Sequence, residues 1–133
     1  MDKKSEVKPD VVAVWAHPPF RDDIFECVLF DPPHIVRSGG ADPRFKFHQK
    51  YGAWGTTLEA IIGINKAQEA FLRITKRLCF KWCETRDGPT LWVLLPFFRG
   101  WKKIAERVNP TKGLGNVRGS TYWITFIRLP VGP

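Results

Sequence analysis

Five apolar positions at helical spacing form the clearest hydrophobic pattern in the chain. They recur at steps of four and three residues, which places them on one face of a helix: Ala60, Ile64, Ala67, Phe71 and Ile74. Thr56 and Glu59 stand before this run at the spacing of a capping box. The pattern predicts an amphipathic helix that begins after Thr56. Gly63 slightly lowers the stability of this helix.

Short apolar runs bounded by proline or glycine predict strands. The near-continuous apolarity of residues 25–30 is typical of a strand buried on both faces of a parallel sheet. Similar runs occupy residues 11–15, 77–83 and 121–129, and residues 97–108 predict a second helix that ends at Asn109-Pro110. The order strand, strand, helix, strand, helix, then a last strand or hairpin, predicts an α/β fold with a mainly parallel sheet.

The length and composition favour one folded domain. The chain has 133 residues, of which 44% are hydrophobic and 14% aromatic, enough for a substantial core. We predict a flexible polar tail over residues 1–8 and a single domain over residues 9–133.

The positive charge points to a polyanionic partner. Lys and Arg number 21 against 13 Asp and Glu, a formal net charge of +8, and basic proteins gain affinity for nucleic acid by releasing counterions. Residues 44–51 interleave cations with aromatics, as in single-strand binders, although an ordinary loop with aromatics in the core is an equal alternative. Arg99, Lys102, Lys103 and Arg107 are either a solvated helix face or a surface that contacts phosphate.

The cysteines and the hydropathy indicate a soluble protein of a reducing compartment. Three cysteines, an odd number, argue against a disulfide framework. The longest apolar run, residues 91–98, is broken by Pro96 and is far too short to span a bilayer. We expect a cytoplasmic protein with no membrane association.

Asp31-Pro32-Pro33-His34, directly after a predicted strand, is the main candidate site. A base amino group is a poor nucleophile, and acceptors that bind its hydrogens expose the nitrogen lone pair. The Asp31 carboxylate and the Pro32 carbonyl are suitable acceptors, Pro33 keeps the loop rigid, and His34 offers a flat surface for a flipped base. The alternative is a turn that merely ends a strand.

Several stretches together resemble class I S-adenosylmethionine-dependent methyltransferases of the Asp-Pro-Pro-His type, a phage and prokaryotic family that modifies nucleobase amino groups. They cover residues 9–128 in the family's order: residues 9–13, Pro19-Phe20, residues 30–34, Lys50-Tyr51-Gly52, Phe80-Lys81-Trp82 with Glu84, and residues 121–126. The resemblance implies a Rossmann-like methyltransferase fold that lacks its first strand-helix unit and ends in an antiparallel strand. It also implies catalytic roles for residues 31–34 and a substrate cleft that includes Lys46, Lys50, Tyr51, Lys81, Trp82 and Glu84.

The chain departs from that family where the cofactor binds. The acidic, glycine-rich turn for methionine is missing before Pro9, Val14 replaces the aspartate near the cofactor adenine, and Cys83 replaces an asparagine. The cofactor-binding residues are therefore unknown, and S-adenosylmethionine is expected only with an unusual or partner-supplied site. Three functions stay open: amino methylation of DNA or RNA, non-catalytic RNA binding, and scaffolding of a methyltransferase heterodimer.

Two further expectations concern metals and partners. Cys79 and Cys83 with His34 or His48 lack the usual spacing of a zinc site, so no metal is expected. A sheet without its first strands exposes an edge, and exposed edges are usually paired or covered. We therefore predict a homodimer or a bound partner subunit.

Overall fold

The computed structural model of the protein describes residues 1–38, 42, 44, 52–110 and 117–131. Its regular elements are β1 (Val28–Phe30), α1 (Thr57–Ile74), β2 (Arg77–Thr85), α2 (Leu91–Leu94), β3 (Trp101–Pro110) and β4 (Val117–Arg128), with 3-10 turns at Ser5–Val7 and Leu95–Phe97. Among these residues, no helix combines the length and apolarity that crossing a membrane requires.

The four strands form one mixed sheet in the order β1-β2-β4-β3. β1 and β2 are parallel, whereas β4 runs antiparallel to both of its neighbours, β2 and β3. Only one of the three strand pairs is thus parallel, and α2 has only four residues. The predicted α/β class, a Rossmann-like methyltransferase fold with a mainly parallel sheet, is therefore wrong for this small, mostly β structure.

The predicted helix over residues 97–108 is also wrong, because most of this segment forms β3. Trp101, Ile104, Ala105 and Val108 have helical spacing, but the segment pairs with β4 from Trp101 opposite Arg128 to Pro110 opposite Ser120. A register shift between Lys103 and Ala105 marks a bulge at Ile104. Long-range strand pairing has overridden the local pattern.

The segment before β1 does not form the predicted strand over residues 11–15. Within it, Val12 makes one isolated bridge with Asp2. Trp15 packs edge-on against Phe30, with the ring centroids 5.5 Å apart. It also contacts Trp54 in a tilted arrangement, with the ring centroids 6.0 Å apart. The predicted strand over residues 25–30 is shortened to β1, preceded by an isolated bridge between Phe25 and Thr75.

The predicted helix is confirmed as α1. The Thr56 hydroxyl accepts a 3.0 Å hydrogen bond from the Glu59 backbone N–H, while the Glu59 carboxylate accepts one of 3.0 Å from the N–H of Gly55. All five apolar positions of the predicted face are buried. They pack on one face of the sheet, where the core cluster includes Phe30, Leu78, Phe80, Ile124 and Phe126.

The opposite side of the sheet, here called the open face, carries the side chains that point away from α1. Residues on one strand alternate between faces, and directly paired residues share a face. The buried residues of α1 and α2 belong to the core cluster on the other face, and Leu29 is 66% exposed. The pairing assigns to the open face Leu29, Arg77, Cys79, Lys81, Lys102, Ala105, Arg107, Asn109, Trp123, Thr125 and Ile127.

Candidate functional site

Asp31 and Lys81 meet at the carboxyl end of the parallel pair β1 and β2. Phe30 is paired with Phe80, so the residues that follow them are neighbours. The Lys81 ammonium lies 3.3 Å from the Asp31 carboxylate, and the two side chains are 30% and 49% exposed. The structure thus brings together two of the predicted site residues and leaves both accessible.

Lys81 also contacts Trp123 on the neighbouring strand. Its ammonium nitrogen lies 5.2 Å from the centroid of the Trp123 ring, within the range of a cation–π interaction. Trp123 is in turn paired with Arg107 of β3. Asp31, Lys81, Trp123 and Arg107 therefore form one line across the open face, here called the cross-sheet row.

The open face carries a surplus of positive charge. Arg77, Lys102 and Arg107 are exposed, and the ion pairs found among the described residues include none of the three. Asp31 neutralises part of the charge of Lys81. The face is consequently attractive to anions.

The backbone of the loop after β1 is fixed from two sides. The carbonyl oxygen of Pro33 accepts a hydrogen bond from the Trp54 indole N–H, and that of His34 accepts one of 2.9 Å from the Thr85 hydroxyl. Pro32 is fully buried. These contacts hold Asp31 at the edge of the open face without using its carboxylate.

His34 is partly buried within this loop. Burial lowers the pKa of its imidazole, the charge of Lys81 lowers it further, and Asp31 partly opposes both effects. The ring is therefore held in the neutral form near neutral pH, which suits stacking against a base more than pairing with a phosphate.

The other predicted site residues are distributed differently. Trp82 is fully buried in the core, and its indole N–H donates to the carbonyl of Pro89. The Glu84 carboxylate lies 3.5 Å from the backbone nitrogen of Leu91. The pKa of the Tyr122 hydroxyl is raised first by desolvation and then by the negative charge of Glu84. Lys46, Lys50 and Tyr51 lie outside the described residues.

Trp123 is a member of the row that the sequence did not identify as a site residue, and Arg107 was considered only as part of a helix face with a possible role in phosphate contact. The alternation of side chains along β4 could have identified Trp123. Tyr122, Ile124 and Phe126 face the core, whereas Trp123 and Thr125 face away from it. Arg107 had been assigned to a helix, so its pairing with Trp123 was hidden.

Binding of S-adenosylmethionine stays a prediction. No described strand pairs with the outer edge of β1, where the resemblance would place the cofactor-binding strands, and Val14 is 46% exposed. Burial raises the pKa of the Cys79 thiol, which disfavours a thiolate nucleophile. Within the described part of the chain, no group of three or more His, Cys, Asp and Glu could hold a metal ion.

The chain matches no protein-family model, no curated protein and no solved structure.

Proposed function

We propose that the protein binds nucleic acid and receives the amino group of a base at the Asp31 carboxylate. One observation carries the proposal: a half-exposed carboxylate lies 3.3 Å from an ammonium group that also lies over an indole ring. The carboxylate accepts hydrogen bonds from an exocyclic amino group, the ammonium attracts phosphate, and the indole stacks on a base.

The ion pair between Asp31 and Lys81 is compatible with this role. The side chain of Asp31 is 49% exposed and that of Lys81 is 30% exposed, and ion pairs open to solvent contribute only about 0–1 kcal/mol. An incoming amino group and phosphate therefore replace the pair at little cost. The net charge of +8 supplies the long-range attraction.

Fluorescence anisotropy with labelled single-stranded oligonucleotides tests the proposal. Adenine or cytosine oligomers carry exocyclic amino groups, whereas thymine oligomers do not. We expect salt-sensitive binding with a preference for amino-bearing bases, and loss of that preference in Asp31→Ala. Asp10→Ala, which removes an exposed carboxylate far from the row in sequence, is the matched control. Absence of salt-sensitive binding to every oligomer contradicts the proposal.

Methylation of the bound amino nitrogen is the second candidate function. The exposed Asp31 after β1 and the rigid Pro32-Pro33 loop favour it, together with the resemblance in sequence. Because the sequence lacks the glycine-rich turn that binds methionine in the family it resembles, a partner subunit or an unusual arrangement would have to bind the methyl donor. Transfer of label from S-adenosylmethionine to an adenine or cytosine oligomer, lost in Asp31→Ala, supports catalysis. Binding without transfer by the purified chain and its partner leaves a nucleic-acid-binding protein or a scaffold.

We further propose that the protein acts in the cytoplasm. The three cysteines Cys27, Cys79 and Cys83 are free thiols, as is typical of a reducing compartment. Fractionation of cells that express a tagged chain tests this assignment.

A further inference from the structure

We infer that the ligand is a single-stranded nucleic acid that crosses the open face along the cross-sheet row, with one base stacked on Trp123. The inference rests on the proposed function and specifies its substrate class and binding path. Neighbouring strands lie about 4.8 Å apart, so the row from Asp31 to Arg107 extends over three strand spacings, roughly 14 Å. That length accommodates more than one nucleotide, with Asp31 at one end and β3 at the other.

A shallow depression on the sheet surface over β3 and β4 provides the place for the stacked base. Its volume is about 530 Å³, and it is lined by Trp123 with Ala105, Glu106, Arg107, Asn109 and Thr125. Ala105 and Thr125 are small enough to leave room beside the indole, and the Asn109 amide offers both a donor and an acceptor to a base edge. An aromatic wall beside a polar amide is the chemistry that holds an unpaired base.

The charge of the face matches a polyanion. Arg77 and Lys102 are both paired with Ile127 of β4, from opposite sides, so they lie on either side of an apolar residue. Arg107 and Lys81 flank Trp123 in the same way. Two cation–apolar–cation lines therefore cross the open face, a pattern that suits a phosphate backbone with bases laid between the charges.

Stacking of a base on Trp123 favours a single strand over a duplex as the ligand. The faces of the bases in a duplex are covered by their neighbours, whereas an unpaired base offers its face to an indole. A protein partner is the competing occupant, since the open face also exposes Leu29. The uncompensated charges of Arg77, Lys102 and Arg107 would be costly to bury against an ordinary protein surface, which favours nucleic acid.

The test compares four variants in anisotropy titrations with labelled single-stranded and duplex oligonucleotides of RNA and DNA. Trp123→Leu should weaken single-strand binding on the order of 10- to 100-fold, as expected for loss of one stacked base, and Trp123→Phe should restore most of it. Lys102→Gln with Arg107→Gln should reduce the slope of log affinity against log salt by about 0.7 for each lost contact. Lys66→Gln with Arg21→Gln, which removes two exposed cations outside the sheet, should leave the slope unchanged.

Three results would overturn the inference. Salt-sensitive binding that is unaffected by the Trp123 and Lys102/Arg107 variants places the strand elsewhere, while the proposed function stands. Equal or tighter binding of duplex excludes stacking on Trp123. Self-association that Trp123→Leu alone abolishes identifies the open face as a protein interface. Circular dichroism melting of each variant separates these results from loss of the fold.

Discussion

The indole N–H of Trp54 donates a hydrogen bond to the carbonyl oxygen of Pro33, joining residues that lie 21 positions apart in the chain. The Trp54 ring also packs against Trp15. Trp54 therefore connects the loop after β1 to the start of α1 and to the N-terminal segment. The position of Asp31 on the open face depends on this contact through the backbone of Pro33.

Replacing Trp54 with Phe should destabilise the fold by about 1–3 kcal/mol, because it leaves the partly buried Pro33 carbonyl without its donor. Urea denaturation followed by circular dichroism measures the change. Trp92→Phe is the matched control, since the Trp92 side chain is 72% exposed and should tolerate the same substitution. Equal stability of the two variants would show that the bond to Pro33 contributes nothing.

Gly63→Ala should destabilise the protein although alanine normally stabilises a helix by about 1 kcal/mol relative to glycine. A Cβ atom at position 63 would lie 2.5 Å from the Cη2 atom of Trp54, so the ring would have to move. We expect Gly63→Ala to lower the free energy of unfolding by about 1–3 kcal/mol in the wild-type background. In a Trp54→Leu background, where the ring is absent, the same substitution should cost less. A rise in melting temperature for the single variant would refute this packing.

The stability should fall as the pH is lowered through the titration of His34. Burial lowers the pKa of folded His34 from its ordinary value of 6.5, so the unfolded chain takes up the proton first as the pH falls. The unfolding free energy contributed by neutral His34 is fully present above pH 6.5 and is progressively lost below it. Urea midpoints measured across this range should depend less on pH in His34→Gln than in His17→Gln, an exposed control. Parallel profiles for both variants would argue against the burial effect.

The outer edge of β1 should be covered by a second copy of the chain or by a partner subunit. β1 ends the sheet with no described strand beside it, and unpaired edges invite strand addition. We expect light scattering to show a dimer at micromolar concentration, in which the backbone of β1 pairs with the second copy and the open face stays free for nucleic acid. A monomer of the purified wild-type chain at every concentration would favour a different partner or none.

The parts of the fold that the sequence predicted are those specified locally. The cap at Thr56 and the spacing from Ala60 to Ile74 lie within one helix, and both are confirmed in α1. β3 could not be predicted in this way, because its conformation depends on pairing with β4. The paired residues are up to 27 positions apart in the sequence, as for Trp101 and Arg128. Helical spacing of Trp101, Ile104 and Val108 was misleading without that partner.

The candidate site shows the same division. Asp31 and Lys81 were each predicted, and their contact follows from the parallel pairing of β1 with β2. Trp123 joins them only because β4 inserts beside β2, a topology that periodicity does not encode. Arg107 joins them through a further strand pairing. The half of the row closest to β1 was therefore accessible to sequence reasoning, and the half formed by β4 and β3 was not.

The strand order has a consequence for synthesis on the ribosome. β4 is made after the other three described strands and lies between β2 and β3, so a nascent chain that ends at Pro110 has neither of the two antiparallel pairings. Until β4 is inserted, the edge of β2 beside Phe80 and Trp82 stays unpaired and prone to wrong association. The cross-sheet row appears only once β4 has been inserted, so a chain that stalls before β4 has no Trp123 with which to hold a base.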